Sequence, residues 1–149
     1  MNEAIAKVRT FHEQIGAPIA EGPNLLPCEA ESAKRASEHL RESLAKLQHM
    51  PQQPGDLLSR LCLAMEELAE WSEAHAVGDL VAAADAWGDR LYVLLGDAVA
   101  TGMPGQDIFA EVHRSNMTKD GCDFTEGKGS KRKKFQRPDM RSAIFHTRR

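Results

Sequence analysis

The chain has 149 residues, 42% hydrophobic and 28% charged, with a net charge of −3. It is long enough to bury a core without staples and too apolar for a disordered chain. Three cysteines, Cys28, Cys62 and Cys122, are odd in number and form no CxxC pair, which argues against a disulfide or zinc framework and fits a reducing compartment. No apolar run reaches membrane-spanning length and MNEAIAKVR lacks a signal-peptide core, so no membrane partner and a cytoplasmic location are expected.

Nearly every periodic segment reads as helix. A first helix is expected from about Asn2 to Ile15, ended by Gly16 and Pro18, and a Pro/Gly-rich loop runs on to Pro27. A second, polar and weakly amphipathic helix spans about Glu29 to His49, and PQQPG breaks the chain after it. Asp56 can cap a third helix, where Leu57, Leu61, Ala64, Leu68 and Trp71 form one apolar stripe opposite Glu66, Glu67, Glu70 and Glu73. Gly78 ends it and Asp79 caps a fourth, Leu80 to about Thr101, which is apolar nearly all round and so reads as central. Gly102 closes that helix. A fifth covers about Gly105 to Lys119, and a short one starts near Pro138. The expected fold is all-α, a helical bundle with a four-helix-type core and no significant sheet. Residues 1–119 would form the bundle, with 28–50 as an additional helix, and residues 120–149 a basic C-terminal tail.

Charge is unevenly spread. Residues 1–118 hold 9 Lys/Arg against 18 Asp/Glu, a charge of −9, whereas residues 119–149 hold 10 against 4, a charge of +6. A basic tail on an acidic body suits contact with nucleic acid or with a small polyanion. Tail aromatics are few (Phe124, Phe135 and Phe145), so nucleic acid is the less favoured partner. The competing reading is a non-catalytic nucleic-acid- or nucleotide-binding helical protein that works through this tail.

Two acid clusters stand one loop apart. Glu66, Glu67 and Glu70 lie in MEELAEW, and Asp85 and Asp89 interrupt the otherwise apolar LVAAADAWGDRLYVLL. Residues three or four apart share a helix face, and a short connection makes these helices antiparallel neighbours, so the two clusters can meet. Arg90 points about 100° from Asp89 and cannot easily neutralise both aspartates. A buried unpaired carboxylate costs several kcal/mol, so a cation or a water-filled site is expected. Oxygen-only ligands select Mg²⁺ or Mn²⁺. None of the six histidines has Glu three residues before it, which removes the di-iron pattern, and GKGSK lacks the spacing of a phosphate-cradling loop. Acids with a basic tail point to phosphate chemistry, in which divalent ions clamp a polyphosphate and activate water. Trp71, Trp87 and Tyr92 are assigned to the core rather than to base stacking.

EELAE at 66–70, ADAWGDRLYVLLG at 84–96 and FAEVHRSNMTK at 109–119 resemble the all-α nucleoside triphosphate pyrophosphohydrolases, the MazG-like enzymes and relatives of phosphoribosyl-ATP pyrophosphohydrolase. KKFQRPDM resembles a segment that often closes this branch, and the likeness runs from about Val8 to Ile144. The resemblance implies Mg²⁺-dependent hydrolysis of a (d)NTP to the monophosphate and diphosphate, with Mn²⁺ as a substitute. Carried over by position, Glu67, Glu70 and Asp89 would be metal ligands, joined by Asp85, and Glu66 either a ligand or the base that activates water. One position departs from the pattern: the usual second-motif Glu would fall at Ala86, and the acid here is Asp85. That leaves Asp85's role and the number of metal ions open. Asn116 and Lys119 would contact ribose or phosphate, Lys119 within the catalytic set. Lys134 would be the first of the tail cations (with Lys128, Lys131, Lys133 and Arg137) to close over the triphosphate. The resemblance also implies a homodimer or dimer of dimers, with a purine deoxynucleotide such as dGTP as the substrate to try first.

Overall fold

A computed structural model describes residues 1–119, 122–123, 128–129 and 135–145. Six helices are present among them: α1 Asn2–Ile15, α2 Ala30–Gln48, α3 Leu57–Val77, α4 Leu80–Thr101, α5 Gly105–Asn116 and α6 Met140–Phe145. The only sheet among the described residues is a two-residue antiparallel ladder, β1 Cys122–Asp123 with β2 Lys128–Gly129. The fold is all-α.

Helix ends follow from local chemistry. Asp56 accepts the Ser59 N–H, and Asp79 accepts those of Val81 and Ala82, each satisfying amide donors of a first helical turn. Gly16, Gly78 and Gly102 close α1, α3 and α4 at φ of 70°, 74° and 67°. Side chains other than glycine rarely adopt that left-handed conformation.

The helices fall into two compact units. One, Gly22–Gly102, holds α2, α3 and α4; the other joins Met1–Glu21 to Met103–Arg149. In the first unit α3 is the middle helix, packed against both α2 and α4. On α2 the buried residues Ala33, Ser37 and Leu44 recur at helical spacing. Two of these, Ala33 and Ser37, are small, and so are the buried residues of α3, Cys62, Ala69 and Ala74. Short side chains let the two backbones come close enough for Ser72 Oγ to donate to the Ala33 carbonyl at 2.8 Å. Leu44 is the bulky contribution, worth about 2 kcal/mol once removed from water.

This arrangement reverses two expectations. The large apolar stripe of α3 is not the buried face: Leu57 and Leu61 are exposed, and Ala64, Leu68 and Trp71 half-buried. Nor is α4 central. It buries Ala83 and Ala86 but leaves Val81, Tyr92 and Val99 at least 80% exposed, with Trp87 at 50%. Trp87 and Tyr92 are therefore not core residues of this chain. Helix α2 reaches α3 at Ser72 and Glu73, beside the large stripe rather than over it, and leaves Leu57 and Leu61 exposed.

The second unit is pinned by polar contacts. Gln14 Nε2 of α1 donates to the carbonyls of Met117 and Lys119 at 3.1 and 2.7 Å. Residues 135–139 return to α5: Ser115 Oγ donates to the Gln136 carbonyl, and Thr118 Oγ1 accepts the Gln136 N–H. Arg114 chelates Glu111 at 2.8 and 2.7 Å and also donates to Gln136 Oε1 and the Arg137 carbonyl. Asp139 donates its N–H to Glu111 and caps α6 through Ser142.

Candidate metal and phosphate site

The antiparallel α3–α4 pair sets the stage for the acids. The turn at Gly78–Asp79 joins the helices at one end, and Arg60 of α3 reaches Asp97 and the Val93 carbonyl of α4 at the other. The guanidinium lies over Gly96, where an added Cβ would fall 2.7 Å from Arg60 Nη2. Between these ends Glu67 faces the α4 acids. Burial pushes its carboxyl above the ordinary range, and repulsion from Glu70, Asp89, Glu66 and Asp85 adds to the rise. The two clusters thus share one electrostatic neighbourhood. Glu67 Oε2 is shielded from solvent and has no hydrogen-bond partner.

The burden of burial falls on a different residue than the sequence suggested. Asp85 and Asp89 are both exposed, and Glu66 is half-buried like Glu67. Exposure on the flank of α4 resolves the cost that an apolar helix seemed to impose on its aspartates. Arg90 does not attend to them either, since its guanidinium stacks on Trp71, 4.4 Å from the ring centroid. The edge of Trp71 meets His75. The Leu26 N–H donates to His75 Nε2, so that nitrogen is the unprotonated one and Nδ1–H donates to the Trp71 carbonyl.

Among the described residues no three His, Cys, Asp or Glu side chains converge as a ready-made metal cage. The donor set still fits a hard divalent ion. It offers carboxylate oxygens from two facing helices, and one of those oxygens is buried without a donor to satisfy it. A cation beside Glu67 would supply what the protein does not.

A residue that the sequence reading did not single out stands at the edge of this cluster. Arg41 of α2 grips Glu73 with Nε and Nη2 at 2.9 and 3.0 Å and reaches Glu70 at 3.7 Å. Its hydrogen bond to Glu73 raises its pKa against the opposing effect of burial, helped by attraction to Glu73, Glu70 and Glu66. The signal was present in the spacing: Arg41 follows Ser37 by four residues and precedes Leu44 by three, in phase with the buried face of α2.

The remaining expected site residues lie in the other unit. Asn116 is the last residue of α5 and half-buried. Lys119 follows it, with Nζ 5.7 Å from the centroid of the Phe11 ring. Lys134 lies outside the described residues.

Residues 44–116 match the family model of phosphoribosyl-ATP pyrophosphohydrolase. The match places residues 44–116 in the all-α nucleoside triphosphate pyrophosphohydrolase superfamily. The matched segment contains both acid clusters and ends at Asn116, so the pyrophosphohydrolase region takes in the end of α2, all of α3 and α4, and α5. Arg41 stands just before it. No match to the chain was found among curated proteins or among solved structures.

Proposed function

We propose that this pyrophosphohydrolase is a Mg²⁺-dependent enzyme that hydrolyses a (d)NTP to the monophosphate and diphosphate. The observation that carries the reading is the buried, unpartnered Oε2 of Glu67 in the field of Glu66, Glu70, Asp85 and Asp89. A divalent ion bound there would polarise the phosphate oxygens and offset charge developing on them. Glu67, Glu70 and Asp89 would hold the ion, with Asp85 on the same helix as Asp89. Glu66 either joins them or takes the proton from the attacking water. Water adds to the α-phosphorus in line, the bond to the bridging oxygen breaks, and diphosphate leaves. By the same family resemblance Asn116 and Lys119 would contact ribose and phosphate, and Lys134 would be the first of the tail cations to bind the triphosphate.

The protein works as a homo-oligomer in this reading. Helix α4 presents Val81, Tyr92, Leu95 and Val99 to solvent, and Ala64, Leu68, Trp87, Leu91 and Leu94 line an open, largely apolar groove of about 300 Å³ between α3 and α4. A second copy would cover such a surface and complete a four-helix core. No helix of the described residues is long and apolar enough to cross a membrane, which is compatible with work on the cytoplasmic nucleotide pool.

Diphosphate release is the direct assay, run with the four dNTPs, the four NTPs and phosphoribosyl-ATP in Mg²⁺, Mn²⁺ or EDTA. The expected result is metal-dependent release, with dGTP among the preferred substrates. Absence of release from every member would reject the hydrolase reading. Preference for phosphoribosyl-ATP would replace the (d)NTP substrate while keeping the chemistry.

A further inference from the structure

We propose that Arg41 of α2 is a phosphate-binding residue of this site, held by Glu73 so that its guanidinium stands beside Glu70. The inference rests on the nucleotide-hydrolysis reading and adds to it a residue from outside the segment that matches the family model.

The geometry separates anchoring from function. Nε and Nη2 of Arg41 donate to the two oxygens of Glu73, a forked contact that fixes the plane of the guanidinium. A guanidinium has five N–H donors, and this fork leaves those of Nη1 and the second of Nη2 for other acceptors. Nη2 lies 3.7 Å from Glu70 Oε1, too long for a good hydrogen bond but close enough for strong attraction. Arg41, Glu70 and Glu73 side chains are 38%, 46% and 45% exposed. A ligand can therefore reach them, and an ion pair this exposed adds little to folding stability.

A fixed positive charge beside carboxylates meant for a cation is counterproductive for metal binding alone. It lowers the local negative potential and competes with the ion for Glu70. The placement becomes useful when the ion arrives with a polyphosphate. Phosphate oxygens then take the donors of Nη1 and Nη2, Glu70 is released toward the metal, and Glu73 keeps the guanidinium in place. Arginine forks match phosphate oxygens in this way, and positive clamps on a phosphoryl group act where charge develops.

The two roles predict opposite responses to loss of the charge. Calorimetry would measure Mn²⁺ alone, then the α,β-methylene analogues of the four dNTPs with Mn²⁺, on wild type, Arg41→Met and Arg41→Lys. Arg41→Met is expected to bind Mn²⁺ alone at least as tightly as wild type and the best analogue at least about 10-fold more weakly, on the scale of a lost charge-assisted contact. Arg41→Lys, which keeps charge but not the fork, should fall between. Glu73→Gln, which leaves Arg41 but loosens its anchor, should also weaken the analogue and not Mn²⁺. Unchanged analogue affinity in Arg41→Met overturns the proposal, as does equal weakening of Mn²⁺ and analogue, the mark of a merely structural arginine. If Arg41→Met does not fold, Arg41→Lys and Glu73→Gln decide by the same comparison. A wild type that binds Mn²⁺ but none of the analogues overturns the nucleotide reading itself, a result visible before any variant is made.

Discussion

Arg60 Nε donates to Asp97 Oδ1 at 2.6 Å, joining the first turn of α3 to the last part of α4. The pair is partly shielded, with side chains 24% and 41% exposed, and the same guanidinium also holds the Val93 carbonyl. Together with the turn at Gly78 it sets the register that brings Glu67 opposite the aspartates of α4.

Loss of this tie should therefore cost both stability and site geometry. Arg60→Met is expected to lower the Tm by roughly 2–4 °C, corresponding to about 1 kcal/mol at this chain length. Gly96→Val, which drives a side chain into the guanidinium, should give a similar loss. Thermal melts of the two single variants and the double variant check the relationship. Additive losses would show that the two positions act independently and contradict the close contact.

Glu67 gives a prediction with the opposite sign. Its folded pKa lies above the ordinary value because of burial and neighbouring carboxylates. The neutral form is thus favoured in the fold, and stability falls as pH rises through the raised pKa. Glu67→Gln should make the metal-free protein more stable at pH 7, by roughly 1–3 °C. Mg²⁺ is expected to raise the Tm of the wild type, and Glu67→Gln should abolish that shift. Scanning calorimetry with EDTA or with Mg²⁺ reads both effects, and a destabilised metal-free variant would refute the assignment.

Catalysis should depend on the less buried acids as well. Asp89→Asn and Glu70→Gln are each expected to reduce diphosphate release by more than about 100-fold, the scale of losing a group that controls transition-state charge. Both residues are exposed, so the helical circular dichroism spectrum should not change. Full activity in either variant would remove that residue from the site.

Acid should loosen the other unit first at Glu111. Chelation by Arg114, with the Asp139 N–H, holds its pKa at about 2 against an ordinary value of 4.5. A depressed folded pKa means the contribution is present above the unfolded value and is lost as pH falls from about 4.5 toward 2. Glu111→Gln should therefore melt below wild type at pH 6, with the gap narrowing as the pH approaches 2. A gap independent of pH would contradict the chelate.

The exposed outer face of α4 makes a prediction about assembly. Light scattering after size exclusion should find at least two copies of the wild-type chain, and Tyr92→Asp with Val99→Asp should shift it to the monomer. A monomeric wild type at all concentrations would refute the shared core.

Much of the architecture is legible in the residues themselves. Capping aspartates at 56 and 79 and glycines at 16, 78 and 102 mark helix ends through chemistry that acts within one turn. Glu66, Glu67, Glu70, Asp85 and Asp89 can be grouped because spacing and a short turn decide which residues share a side. What periodicity cannot decide is which of several apolar faces gets covered. Helix α3 buries the small residues Cys62, Ala69 and Ala74 where its neighbours pack on it, and nothing in the α3 stripe alone announces those neighbours. Arg41 is in phase with the buried face of α2, but its partner Glu73 lies on α3, a pairing that periodicity does not reveal. Periodicity also misplaced the shielded carboxylate oxygen, which belongs to the half-buried Glu67 and not to an α4 aspartate.

Trp71 has a use beyond packing. It follows Glu70 directly in α3, with Arg90 stacked on its face and His75 at its edge, while the other indole, Trp87, is half exposed. The chain therefore carries its own optical probe one residue from the acid cluster. Removing Trp87 with Trp87→Phe would leave a single tryptophan, and its selectively excited fluorescence would report rearrangement around Glu70 without any added label.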